Sequence, residues 1–177
     1  MKKTIANFIQ SDKGIIIAFI VIIFFSTWAY MSYTTPIVTD IKYSWEGIKY
    51  QAGNYEYEEL INIEVTGVYT KIRSSGDSVF KGEIVVNGEM SQGYGDDGNE
   101  YAFNDETNHN IIHWESFIGD LYIGDTFKEI SIDILEPIVG FNYNDGWIIS
   151  APADNRSKAV EISNRIIQKL HKDVLIK

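Results

Sequence analysis

His109 and His113 stand four residues apart with Glu115 two further on, a spacing that would hold zinc if the segment were a helix. The neighbours Asn108, Asn110, Ile111, Ile112 and Trp114 predict instead a turn entering a strand. On a strand it is His113 and Glu115 that share a face, and a third ligand is missing. The run Asp96-Asp97-Gly98-Asn99-Glu100 offers carboxylates on a flexible loop, which suits calcium, but Gly98 stands where the calcium-loop pattern requires an acid. His113, Glu115, Asp96 and Asp97 are therefore the nearest approach to a metal site. The expectation is no metal, and no cofactor either.

Nucleophilic chemistry is equally sparse. The chain has no Cys, which removes thiol catalysis, disulfides and zinc ribbons together. Ser78-Val79-Phe80-Lys81 has the Ser-x-x-Lys spacing of penicillin-recognising enzymes, yet it reads as strand and no Lys-Thr-Gly follows. Acidic pairs such as Glu58-Glu59 and Asp105-Glu106 put their carboxylates on opposite faces of a strand, so neither is an acid–base pair by itself. What remains is aromatic. Tyr43, Trp45, Tyr50, Tyr55 and Tyr57 crowd one stretch. Tyr94, Tyr101, Trp114, Tyr143 and Trp147 recur beside Asn, Asp and Gly turns, as a groove for a sugar or peptide would require. Most such rings in a β protein simply fill strands.

The elements that must position these residues are mostly strands. Ile61, Ile63 and Val65 alternate with Asn62, Glu64 and Thr66, and Val68 to Arg73 continues or pairs with them. Val79 to Val86 is a strand ended by Asn87-Gly88, the dipeptide suited to a two-residue hairpin. Short strands are expected at Glu100–Phe103, Ile111–Ser116, Leu121–Ile123 and Trp147–Ile149. Phe127 to Leu135 alternates except at Glu129, which marks a bulge or a later strand start. From Asn155 on, Ala159, Ile162, Ile166 and Leu170 share one face against Arg156, Lys158, Glu161, Arg165 and Lys169 on the other. The predicted fold is thus a mainly β (α+β) domain, an antiparallel sheet or small barrel closed by a C-terminal amphipathic helix over 155–171. Ile148-Ile149-Ser150-Ala151-Pro152 and the helix after it resemble the ending of bacterial pleckstrin-like barrels, which implies such a barrel as the alternative fold.

The strongest signal precedes this domain. No charged residue occurs from Gly14 to Thr39, and Ile15 to Phe25 is wholly apolar. With Trp28, Tyr30 and Tyr33 at its far end and Pro36 beyond, residues 14–33 read as a transmembrane helix. A cleaved signal peptide is the rival, but Thr27-Trp28-Ala29 is a poor cleavage site. Residues 1–39 carry a net +2 and the remainder −12, within a total of −10. By the positive-inside bias, Lys2, Lys3 and Lys13 put the stub of residues 1–13 in the cytoplasm. After a short stalk of residues 34–40, the β-rich domain of residues 41–177 lies outside. The acidic charge excludes a nucleic-acid partner. The expectation is a single-pass cell-membrane protein whose exported domain binds a membrane protein or wall polymer. The alternative is an envelope hydrolase using acidic residues. Richness in Ile, Asn, Lys and Tyr suggests a Gram-positive source.

Overall fold

The structure is a computed structural model that describes residues 12–93, 99–103, 109–124, 127–135, 141–169 and 171–177. The chain divides into two units, residues 1–36 with 72–75, and residues 37–71 with 76–177. The first unit holds α1, Asp12–Thr34, a helix of 23 residues. At 1.5 Å per residue it is about 34 Å long, enough to cross a bilayer core. Its stretch from Gly14 to Thr34 meets the length and composition of a membrane span and is 6% buried in the protein. Ile16, Phe19, Ile22, Phe24 and Trp28 are all exposed, so no polar face is available for water. The helix ends where the Thr34 and Thr35 hydroxyls turn back onto main-chain carbonyls at Tyr30 and Met31.

The second unit is an antiparallel sheet with one helix. In chain order its strands are β1 (Ile37–Gln51), β2 (Glu58–Lys71), β3 (Ser78–Val86), β4 (Glu89–Met90), β5 (Glu100–Phe103), β6 (His109–His113), β7 (Ile118–Ile123), β8 (Ile130–Leu135) and β9 (Trp147–Ala151). They pair in the order β4-β3-β2-β1-β9-β8-β7-β6, and β5 also pairs with β3. The ladder is not closed. Between β6 and the β4–β5 side there is a bridge from Gln92 to His113 and a hydrogen bond of 2.7 Å from Asn110 Nδ2 to the Ala102 carbonyl. The expected antiparallel sheet with a closing helix therefore stands, and the barrel, including the pleckstrin-like form, gains no support.

β1 begins earlier than a stalk through residue 40 would allow, because Ile37 to Asp40 already pair with Lys71 to Val68 of β2. Asn87 and Gly88 take positive φ, as a tight hairpin requires, and return β3 into β4. β8 starts at Ile130 rather than Phe127, since Phe127 has φ of 56° and cannot be strand. Gly67 and Gly82 are register partners whose backbones approach so closely that a Cβ on either would strike the other's Cα. The Phe80 ring lies against both of them.

Both faces of the central sheet are covered. One carries a core that includes Ile63, Phe80, Tyr101, Leu121, Phe127 and Ile132. Phe127 sits at its centre, with ring centroids 4.6 Å from Phe80, 5.6 Å from Tyr69 and 5.7 Å from Phe103. The other face packs under α2, Arg156–Ile167, which buries Ala159, Ile162, Ile166 and Ile167. Each such isoleucine contributes about 1.5–3 kcal/mol. Asn155 caps the helix by accepting from the Lys158 N–H at 2.9 Å. After α2 the tail is fastened to it. The Asn164 side chain pairs with both main-chain groups of Ile176, which is itself buried.

Candidate functional site

The alternation that turns Ile149 and Ile132 into the first core turns their neighbours toward α2. Tyr50 from β1, Ser150 from β9 and Ser131 from β8 meet Ser163 of α2 in a buried line of hydroxyls. Tyr50 donates to Ser163 Oγ at 2.7 Å, and Ser163 Oγ lies 2.5 Å from Ser150 Oγ and 3.1 Å from Ser131 Oγ. Burial drives the Tyr50 phenol well above its ordinary range despite these hydrogen bonds. It stays neutral and acts as a donor.

Next along the same face is an acid pair. Asp133 on β8 is the register partner of Asp120 on β7 and is 1% exposed. Neither Asp133 oxygen has a hydrogen-bond partner among the described residues. Burial first, and the Asp120 charge second, push its carboxyl up to about 8. Asp133 is thus a neutral acid near neutral pH. Tyr122 and Tyr143 beside it are raised as well, chiefly by burial. A proton-carrying acid opposite a second carboxyl has the ingredients of acid–base catalysis, but Asp133 is shielded from solvent and from any substrate there.

An accessible cavity lies nearby, where the first turn of α2 meets the β1–β2 turn. It has a volume of about 580 Å³ and is lined by Tyr55, Glu56, Glu58, Arg156, Ser157 and Val160, with Lys177 at one side. Arg156 is only 9% exposed. Its guanidinium lies between two rings, 4.9 Å from the centre of Tyr50 and 5.3 Å from that of Tyr55. Nη2 donates to the Lys177 carbonyl at 2.9 Å, and the Arg156 main-chain N–H donates to Glu58 Oε2 at 3.1 Å. Nη1 is buried without a partner. A second, more open depression of about 490 Å³ lies between Trp45, Glu46, Asp154 and Lys158.

No family model, curated protein or solved structure matches this chain.

Among the described residues, Tyr101, Trp114, Tyr143 and Trp147, expected to line a groove, do not line this cavity. Tyr101 is fully buried against Phe80, with its hydroxyl 2.6 Å from Ser91 Oγ. Trp114 is buried and stacked on Phe117 at 4.6 Å. Tyr143 packs on Phe141 at the edge of the second core, and Trp147 meets Tyr57 edge-on at 4.5 Å. Tyr94, Asp96 and Asp97 lie outside the described residues. His113 and Glu115 are exposed, and no group of three potential metal ligands occurs among the described residues. Arg156, on the polar side of the helix by its sequence spacing, is instead buried, and so is Asp133 within the strand before Leu135. The signal available for the first was the pair Tyr50 and Tyr55, already conspicuous as part of an aromatic run.

Proposed function

We propose that the protein is a single-pass, membrane-anchored binding or accessory module, with its β-rich domain outside the cell membrane and the cavity at Arg156 as its ligand site. The observation that carries the reading is α1, whose apolar side chains are exposed all round and have no use in water. Lys2, Lys3 and Lys13 before the span, against a net −12 after residue 39, support a cytoplasmic N-terminus. The cavity at Arg156 supports binding, because its volume of about 580 Å³ lies within the range of small-molecule sites. A Gram-positive source agrees with the composition and with an exported domain without Cys.

Membrane fractionation with a carbonate wash, followed by intact-mass measurement of the purified chain, tests the anchor. The reading predicts that the chain stays in the washed membranes at its full mass. Recovery in the soluble fraction, or a mass lacking the apolar segment, would refute it.

A further inference from the structure

We infer that the free edge of β1 is an interface for a second copy of this chain, the two β1 strands pairing antiparallel across a two-fold axis at Ile41. β1 runs over 15 residues and β2 accompanies it from Ile37 to Tyr50, but on its other side β9 pairs only with Ile48 to Gln51. Which groups point to that side follows from Glu46. Its carbonyl accepts from the Ala153 N–H at 3.0 Å, while Asn62, its register partner on β2, directs its own main-chain N–H and C=O to Asn87. Main-chain groups alternate in direction along a strand, so those of Val38, Asp40, Lys42 and Ser44 also face away from β2. None of the four has a main-chain partner on that side among the described residues. Each brings one donor and one acceptor, and such a row is a template for a further strand.

One register satisfies both the main chain and the charges. Placing Val38 of one protomer opposite Ser44 of its partner puts Asp40 opposite Lys42, and the two-fold axis repeats each pair, so opposite charges face each other twice. Sliding the strands by two residues one way sets Asp40 against Asp40, and the other way Lys42 against Lys42. Either slip also shortens the ladder. Asp40 and Lys42 are both exposed, and neither has an ion-pair partner in its own chain among the described residues. The second copy supplies one.

The apolar side chains agree with this register. Val38 is 63% exposed and Ile37 39%, left bare by their own sheet. Opposite Ser44, Val38 of the second protomer reaches the depression of about 490 Å³ that Ser44, Pro152 and Lys158 help to line. On the strand's other face, Ile37 falls opposite Trp45 and Thr39 opposite Tyr43, two half-buried rings stacked with centroids 4.8 Å apart. Pairing therefore covers exposed apolar surface on both faces. A contact of this kind is self-complementary and closed, so it gives a dimer and not a fibre. A two-fold axis normal to the membrane leaves both α1 helices in one bilayer.

The natural chain has no Cys, so introduced thiols report the pairing alone. In the full chain in detergent, Val38→Cys with Ser44→Cys is expected to give a disulfide-linked dimer on oxidation, because residues opposite each other in a hydrogen-bonded pair lie about 5.5 Å apart at Cα, within disulfide reach. Within one chain the two positions are about 20 Å apart along the strand and cannot bridge. Each single variant should stay uncross-linked. Light scattering on a dilution series, corrected for bound detergent, should show a dimer for the natural chain. Lys42→Asp should weaken it about tenfold or more, and Asp40→Lys with Lys42→Asp, which exchanges the facing charges, should restore it. Circular dichroism checks that these exposed substitutions spare the fold. A natural chain that stays monomeric, which would leave the edge to a different protein, a charge exchange that fails to restore the dimer, or cross-linking of Val38→Cys alone would overturn the inference.

Discussion

Replacing Asp133 by Asn is expected to remove most of the pH dependence of this domain's stability between pH 5 and 8. Its carboxyl is pushed up to about 8 in the folded protein against an ordinary 3.8, because it is buried in the sheet and faces Asp120. A folded-state value raised above the unfolded one means that the native chain holds a proton the unfolded chain has released. Stability is then fully present below the unfolded value and declines as pH climbs toward the folded one. The slope in that window is about 1.4 kcal/mol per pH unit, so the wild type should lose roughly 3 kcal/mol between pH 5 and 7 from this one group. Asn matches the shape of the neutral acid and cannot ionise. Wild type and Asp133→Asn should therefore be close in stability only below about pH 4, with the variant more stable by about 1.6 kcal/mol at pH 5 and by about 4 kcal/mol at pH 7. Urea unfolding followed by tryptophan fluorescence at pH 5, 6, 7 and 8 measures the difference. All other titrating groups are common to the two proteins, so the gap reports Asp133. Parallel stability curves for the two proteins would show that Asp133 is ionised and solvated, and its burial would be wrong.

Other substitutions probe the rest of the core. Ser163→Ala should cost about 1–3 kcal/mol in the same unfolding assay, because it removes the shared partner of the buried Tyr50, Ser150 and Ser131 hydroxyls and leaves only the 3.4 Å contact between the two serines. Tyr50→Phe added to Ser163→Ala should restore part of that loss, a coupling that a double-mutant cycle reads directly. Phe127→Ala should cost about 3–5 kcal/mol, since three aromatic rings lose their common neighbour. Gly82→Ala should cost about 1–3 kcal/mol through overpacking against Gly67, whereas Gly88→Ala meets no atom within 4 Å and suffers only from its φ of 87°.

Local signals were legible where one element's own sequence decides its state. The apolar run of residues 14–33 became α1, Asn87-Gly88 became a hairpin turn, and the spacing of Ala159, Ile162 and Ile166 became the buried face of α2. β1 alternates as well, with Ile41 buried and Lys42 exposed. Its first residues, Ile37 and Val38, are exposed, however, and blend with the apolar run before them. The site was less legible because its members are polar residues buried by partners distant in the chain. Asp133 looks outward on a strand read alone, and is buried on a face it shares with Asp120 of β7 and beside Tyr122 and Tyr143. Arg156 looks solvated on a helix read alone, and is covered by Tyr50 and Tyr55, about 100 residues earlier, and by the tail at Lys177. The aromatic residues expected in a groove went the other way. Tyr101 and Trp114 fill the core because a sheet covered on both faces needs large apolar side chains there.

The most direct test of the account is labelling of single cysteines with a membrane-impermeant maleimide in intact cells, which the absence of natural Cys makes clean. Lys172→Cys, at an exposed position after α2, should label without permeabilisation, and Lys3→Cys, before the apolar span, should label only after it. Labelling of Lys3→Cys in intact cells with protection of Lys172→Cys would contradict the topology and, with it, the assignment of an outward-facing ligand site.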